Sequence, residues 1–397
     1  MYDIIVVGAR CAGSPTAMLL ARAGYRVLIL EKARFPQDTL SSHYIHQPGV
    51  ALMSRWGVLD AVVDTGCPPL THVSYEAPGI RLAGCSPPAD GHRAGYAPRR
   101  YRLDPVLAAA AVDAGAELRE GVTVTGLLRE GDRVTGVRYR TGAGPEHTEQ
   151  ATLVVGADGM RSLVARLADA RTVIEDPNLT CTYYSYWEGL PAGFELYERP
   201  GRWIGVIPTN DALTLVMAYF PQNEFPRMRT AAAASFQEAV RTTAPHLHQR
   251  MAAARQVERL YGTGDQRNFF RQATGPGWVL VGDALHHKDS ITARGITDAF
   301  LQAQSLADRI GPRLHDQKAL TAALRRYGRD VDDYFFDYYR STLTVAELRL
   351  PENRTALLRA ISTDQTLTDR YFGTLSGACT LEEFYNKELL DLVAADR

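Results

Sequence analysis

The sequence predicts an α/β protein in which a strand–helix–strand unit opens the chain, a β-rich segment is inserted behind it, and a helical stretch closes it. Three observations carry this reading. Residues Tyr2 to Val7 form an apolar, β-branched run followed by a glycine-bearing turn and an apolar-faced helical segment. Short buried-type runs recur before Gly156-Ala157-Asp158-Gly159 and before Gly282-Asp283-Ala284. From Thr172 to about Phe220 the composition shifts to aromatic and β-branched residues, as in an antiparallel sheet.

The opening unit is the most informative. Tyr2–Val7 reads as a buried parallel strand, the turn is Gly8-Ala9-Arg10-Cys11-Ala12-Gly13, and a helix runs from about Ala12 to Ala23. Gly24 stops that helix, and Tyr25 to Leu30 forms a second strand ending at Glu31. Gly8 permits the tight turn and Gly13 a close helix–strand approach, while the helix start offers free N–H groups to a pyrophosphate. Arg10 replaces the middle glycine of G-x-G-x-x-G, and its guanidinium can return charge to the same phosphates. Glu31 stands where an acid accepts from an adenosine ribose hydroxyl. Gly8, Arg10, Cys11, Ala12, Gly13, Ser14, Glu31 and Lys32 are therefore candidate dinucleotide contacts.

Beyond Glu31, Phe35-Pro36 marks a turn, and Thr39 to His46 is a polar loop. Ser42, His43 and His46 in this loop either line the ligand or are solvated at the surface. Pro48 begins a helix through Trp56, and His72 to Tyr96 reads as short strands broken by Pro78-Gly79, Pro87-Pro88 and Gly91. A helix is expected from Pro105 to Ala114, then strands at 117–118, 122–128 (with Thr123) and 134–139, the last two joined at Glu130-Gly131-Asp132, and a buried strand at 152–155. Thr230 to about Arg255 is expected as one amphipathic helix, Trp278 to Val281 as the last buried strand, and Ile296 to Ile310 as a long helix. Further helices fill the tail, where Tyr334-Phe335-Phe336-Asp337-Tyr338-Tyr339 suits core or dimer contact. Boundaries follow: 1–70, 97–171 and 272–325 form a discontinuous nucleotide domain, 71–96 and 172–271 a β-rich substrate domain, and 326–397 a helical segment.

Composition narrows the function. The 397-residue chain is 45% hydrophobic and 22% charged, ordinary for a globular protein, and its net charge of −1 gives no basic field for nucleic acid. Cys11, Cys67, Cys85, Cys181 and Cys379 show neither metal-ligand spacing nor a disulfide framework, which suits a reducing cytoplasm. No secretory leader is read before the first strand, and no apolar run is long enough to span a bilayer. Oligomeric state is left open.

Taken in order, the opening turn, Gly156-Ala157-Asp158-Gly159 and Gly282-Asp283-Ala284 make the chain resemble the single-component FAD-dependent monooxygenases of the p-hydroxybenzoate-hydroxylase fold, related to geranylgeranyl reductases and flavin-dependent halogenases. The resemblance covers roughly Met1 to Asp308. It implies a Rossmann-type FAD-binding domain, with Arg100 of an R-x-x-L-D element at the phosphate–ribityl region and Gly282-Asp283 at the ribityl hydroxyls. Ala293, Gly295 and Ile296 would lie at the flavin N1–C2=O edge, Asp158 would support flavin and nicotinamide docking, and Ser42 and Thr123 would be further contacts. Asp158 also has a plain reading as a turn aspartate. His286, in the G-D-A-x-H position, is read as a brace, not a base.

Departures are informative. Ser290 replaces the proline that borders the flavin's reacting edge, and Ala293 the first glycine of the next G-x-G. Trp203-Ile204-Gly205-Val206-Ile207-Pro208 matches the halogenase W-x-W-x-I-P signature except for Gly205, and Thr39 stands near where a halogenase carries a lysine. The resemblance implies a cytoplasmic FAD-dependent monooxygenase of secondary metabolism, with NADPH or NADH as transient donor, O2 as oxidant and an electron-rich small molecule as substrate. A reductase or dehydrogenase is the alternative, ahead of a halogenase and a non-catalytic carrier. His43 and Ser290 are the residues expected at the reacting edge, and Trp203, Tyr184, Tyr186 and His46 those expected to touch substrate; no metal is expected.

Overall fold

Ile4, Ile5 and Val6 have no exposed surface, so the first strand, Tyr2–Val7, must lie inside a sheet covered on both faces. In the computed structural model, which describes residues 1–387, 389, 390 and 393, it does so. Val27–Glu31 pairs with it on one side and Glu146–Gly156 on the other, both parallel, with Val6 opposite Ile29 and Val155. Glu117–Glu120 and Trp278–Leu280 extend the two edges, also parallel. The hairpin Val122–Glu130 and Arg133–Thr141 joins through the first half of Glu146–Gly156, whose second half belongs to the parallel sheet. The helices Gly13–Arg22 and Arg100–Asp113 pack on this sheet, and Gly13–Arg22 packs against both Arg100–Asp113 and Gly295–Ile310.

Two helices differ from expectation. The one expected from Pro105 begins at Arg100, because the Arg99 carbonyl accepts from Arg102 and Leu103 and an Arg100–Asp104 ion pair spans the first turn. The single helix expected over 230–255 is two, Ala232–Thr243 and Pro245–Ala252. Pro245 lacks an N–H and holds Ala244 at φ −134°, ψ 67°, outside the helical region.

A second sheet runs in the order Arg255–Gln256, Thr180–Glu188, Leu213–Pro221, Arg202–Pro208, Phe194–Arg199, Val73–Ala77, Ile80–Gly84. Side chains alternate between its faces. Cys181, Tyr183, Ile204, Val206, Val216 and Ala218 pack under the helices of 225–252, while Tyr186, Trp203, Ile207, Met217 and Tyr219 face the other way. Thr172–Asp176 lies outside this sheet, in a separate three-stranded one, where it pairs with Asn268–Arg271, which pairs with His286–His287.

The tail is helical: Gln317–Ala346, Glu352–Ser362, Gln365–Ser376 and Leu381–Phe384. Within the aromatic cluster Phe335, Tyr338 and Tyr339 are buried and Tyr334 and Phe336 exposed, and the Tyr339 hydroxyl donates to Asp176 at 2.8 Å. Phe335, Tyr338 and Tyr339 are core contacts. Among the described residues, no helix is long and apolar enough to cross a membrane and no residue group could hold a metal ion.

Candidate active site

The first turn is shaped by steric necessity. Gly8 has φ +101°, and a Cβ there would lie 2.5 Å from the Ala157 carbonyl oxygen; a Cβ on Gly13 would lie 1.8 Å from the Gly8 oxygen. Both glycines therefore serve close backbone packing, and the first also brings the segment around Asp158 against the turn. Gly295 and Gly159 are different. A Cβ on either would meet no atom within 4 Å, so these two leave open room on the side of a long groove.

That groove gathers segments far apart in sequence. Gly8, Arg10, Cys11, Ala12, Glu31, Lys32, Ser42, Arg100, Thr123, Asp158, Gly282, Asp283, Ala293, Gly295 and Ile296 all line it. Gly13 and Ser14 stand behind the turn, where the Ser14 hydroxyl donates to the Ala9 carbonyl at 2.7 Å. Two helices, beginning at Gly13 and Gly295, start at the groove and present the positive ends of their dipoles. Asp104, wholly buried, accepts from Arg10 at 3.1 Å and from Arg100 at 2.8 and 3.0 Å. Two guanidinium groups on one carboxylate leave a net positive charge at the turn. Burial pushes the Cys11 thiol up to about 12, so it is a packing residue and not a redox group.

The acids divide by role. Glu31 accepts from the N–H groups of Ala9 (2.7 Å) and Ala33 (2.8 Å), which fixes its carboxylate at the strand end. Asp158 accepts from the Ser162 hydroxyl and from the N–H groups of Leu163 (2.7 Å) and Val164 (3.1 Å). Its carboxylate braces its own turn at the edge of the groove, and burial raises its pKa. His286 is a brace too. Gln302 lies 3.3 Å from its Nδ1, Phe270 packs against its ring, and burial holds it neutral.

Charges that single-residue reading overlooked lie beside it. Lys288 and Arg294 both pair with Asp298, each with under a tenth of its surface exposed, and all three line the groove. The Arg294–Asp298 spacing of four on a helix was the available signal; nothing local marks Lys288.

A second pocket lies between the outward face of the large sheet, the segment 290–293 and the tail helices. His46 and Trp203 line it. So do Gln47, Tyr75, Phe194 and Tyr219, which were not foreseen, and Phe372 and Leu375 of the tail. Ser290 and Ala293 line both the groove and this pocket. The structure does not bring Tyr184, Tyr186 or His43 to either wall. His43, at φ +63° and fully buried, meets the Tyr186 hydroxyl at 2.6 Å through Nε2; burial lowers its pKa to about 3. Arg99 sits over the Tyr186 ring, and Tyr184 packs on Tyr261. These aromatic residues face the correct side of the sheet but lie one strand away from the pocket.

Positive turn, two helix starts, an acid at the strand end and empty room beside Gly295 together suit a long dinucleotide with a phosphate at one end and a ring system at the other. Comparison with known proteins agrees. Over 316 residues the chain is 27% identical to a digeranylgeranylglycerophospholipid reductase of Methanosarcina mazei, covering 75% of this chain and 72% of that protein. It is 27% identical over 322 residues to 12-dehydrotetracycline 5-monooxygenase/anhydrotetracycline 6-monooxygenase of Streptomyces rimosus, covering 78% and 62%. The structure of a flavin-dependent brominase superposes with a TM-score of 0.79 at 18% identity, over 99% of this chain and 98% of that one, which shows the shared fold. With residues 1–331 matching the family described as "FAD binding domain", the chain belongs to that family and is an FAD-dependent oxidoreductase.

Proposed function

We propose that the protein is a monooxygenase: it uses NADPH or NADH and O2 to oxygenate an electron-rich small molecule held in the pocket beside the groove. The observation that carries this is the shared wall, Ser290 and Ala293, between the cofactor groove and the pocket. Arg10, Arg100 and the helix start at Gly13 would hold the pyrophosphate, Glu31 the adenosine ribose, Asp283 the ribityl chain and the Gly295 helix start the ring edge. Bound FAD supplies two-electron reduction by the nicotinamide and reaction with O2. One oxygen atom enters the substrate and the other leaves as water, with two electrons from NAD(P)H and one proton from solvent.

The chain's own part is to orient and to keep dry. Ser290 donates to Gln266 Oε1 and therefore accepts from the Tyr219 hydroxyl at 3.0 Å, which fixes the wall between the two chambers. Tail helices cover the pocket's far side and reduce its contact with water. The likeness to the phospholipid reductase favours a second reading, reduction of a substrate double bond by the same cofactor. Turnover under 18O2 separates them. Label in the organic product supports oxygenation; a hydrogenated product formed equally well without O2 overturns it.

A further inference from the structure

The helix Gln317–Ala346 carries a charge pattern that its own chain leaves unused. Arg325, Arg329, Asp333 and Asp337 are all exposed and follow one another at a spacing of four, so they stand in one row on its outward face. The row is basic in its first half and acidic in its second. Each half sets like charges one turn apart, Arg325 beside Arg329 and Asp333 beside Asp337, which disfavours the helix on its own. Among the described residues the ion pairs of this helix are Asp330 with Arg309 and Arg340 with Asp176, and none of the four takes part. Apolar surface lies open beside the row. Phe336, two turns beyond Arg329, is 42% exposed, and Val173 is 64% exposed on the strand that Tyr339 and Arg340 hold through Asp176.

A row of this kind matches a reversed copy of itself. Residues four apart form the ridges that interdigitate in the commonest helix packing, with the two axes crossing at about −50°. Around a two-fold axis passing beside position 331, two such ridges run antiparallel. Arg329 of one protomer then faces the partner's Asp333, Arg325 faces the partner's Asp337, and each pair forms twice. A partner of one sign would be drawn to one half of the row and repelled by the other. A second copy satisfies both halves, and a net charge of −1 adds little repulsion between copies.

We propose that the outward face of Gln317–Ala346 is the contact of a two-fold homodimer, closed by reciprocal Arg325–Asp337 and Arg329–Asp333 pairs beside Phe336. The face is small against a standard interface and its charges stay close to water, so the dimer is weak and sensitive to salt. Inward, the same helix packs Phe335 and Tyr339 on His286, so each partner bears on the element that backs the cofactor groove.

Sedimentation velocity of the FAD-loaded full chain tests this. At about 0.05 M salt the wild type is expected to associate with a Kd of roughly 1–100 µM, and to weaken at least tenfold at about 1 M salt. Arg325→Glu with Arg329→Glu turns the row wholly acidic, and Asp333→Arg with Asp337→Arg turns it wholly basic. Each double variant alone is expected to lose at least tenfold in self-association, while an equimolar mixture of the two forms a heterodimer at about the wild-type affinity. Flavin absorbance and melting temperature report that each variant is folded, and the salt series on the wild type needs no variant at all. A wild type that stays monomeric at about 0.5 mM, a dimer indifferent to salt or to either reversal, or a mixture of folded variants that fails to associate overturns the proposal.

Discussion

Asp289 shows how one buried group ties the wall of the site to solution pH. It accepts from the Thr180 hydroxyl (2.7 Å) and the Ile291 N–H (3.1 Å) at the start of the 290–293 segment, and burial raises its pKa from 3.8 to about 6. Because the folded pKa is the higher one, the folded state holds a proton that the unfolded chain has already lost between those values. Its contribution is complete below about pH 4 and disappears as pH rises through 6. Measured against Asp289→Asn, wild-type stability should therefore decline by up to about 3 kcal/mol from pH 4 to pH 7, read by denaturant melts of both proteins. A flat difference would mean that the Asp289 pKa is the same in the folded and unfolded chains. At Gly8 the constraint is geometric: Gly8→Ala adds a Cβ 2.5 Å from the Ala157 oxygen at φ +101°. It should cost about 2 kcal/mol or more and strip FAD, seen as a colourless, less stable protein.

At the scale of elements, legibility followed the range of the forces involved. The first strand, turn and helix are set by local composition and by two glycines, and the sequence alone places them nearly to the residue. Pro245 is an equally local signal that a long alanine-rich helical pattern concealed. The site's cofactor half was legible because its contacts are turn and strand-end residues. The substrate half was not. Tyr184 and Trp203 both belong to the outward face, and only strand order, Leu213–Pro221 lying between their strands, decides that Trp203 lines the pocket. The tail's part in the pocket was invisible for the same reason, since Arg354 meets Glu198 from 156 positions away. That buried pair pins the helix Glu352–Ser362 to the sheet. Arg354→Met leaves Glu198 buried without its partner and should cost about 3 kcal/mol, and adding Glu198→Gln should recover much of it; melting temperatures of the two variants test this.

For the whole molecule, the decisive feature is interleaving. The chain enters the large sheet at Val73, returns to the parallel sheet by Glu117, leaves again at Thr180 and comes back at Trp278, so neither sheet is built from a continuous stretch. The groove draws on residues near 8, 31, 100, 158 and 283, and the tail helices rest on both halves. One core, under the helices of 225–252, is built within residues 181–251, but the same strands carry the outward-facing core that the tail helices cover, so whatever fills the groove should stabilise all of it. FAD at a hundredfold excess over its dissociation constant should therefore add about 2.7 kcal/mol. In scanning calorimetry that gain should appear as one transition moving upward as a unit, with the aromatic signal of the large sheet and the flavin release changing at the same temperature. Two transitions, only one of them sensitive to FAD, would show the sheet to be an autonomous domain. The shared wall at Ser290 and Ala293 would then join two separately folding parts, and substrate binding could loosen without any change in the cofactor's hold.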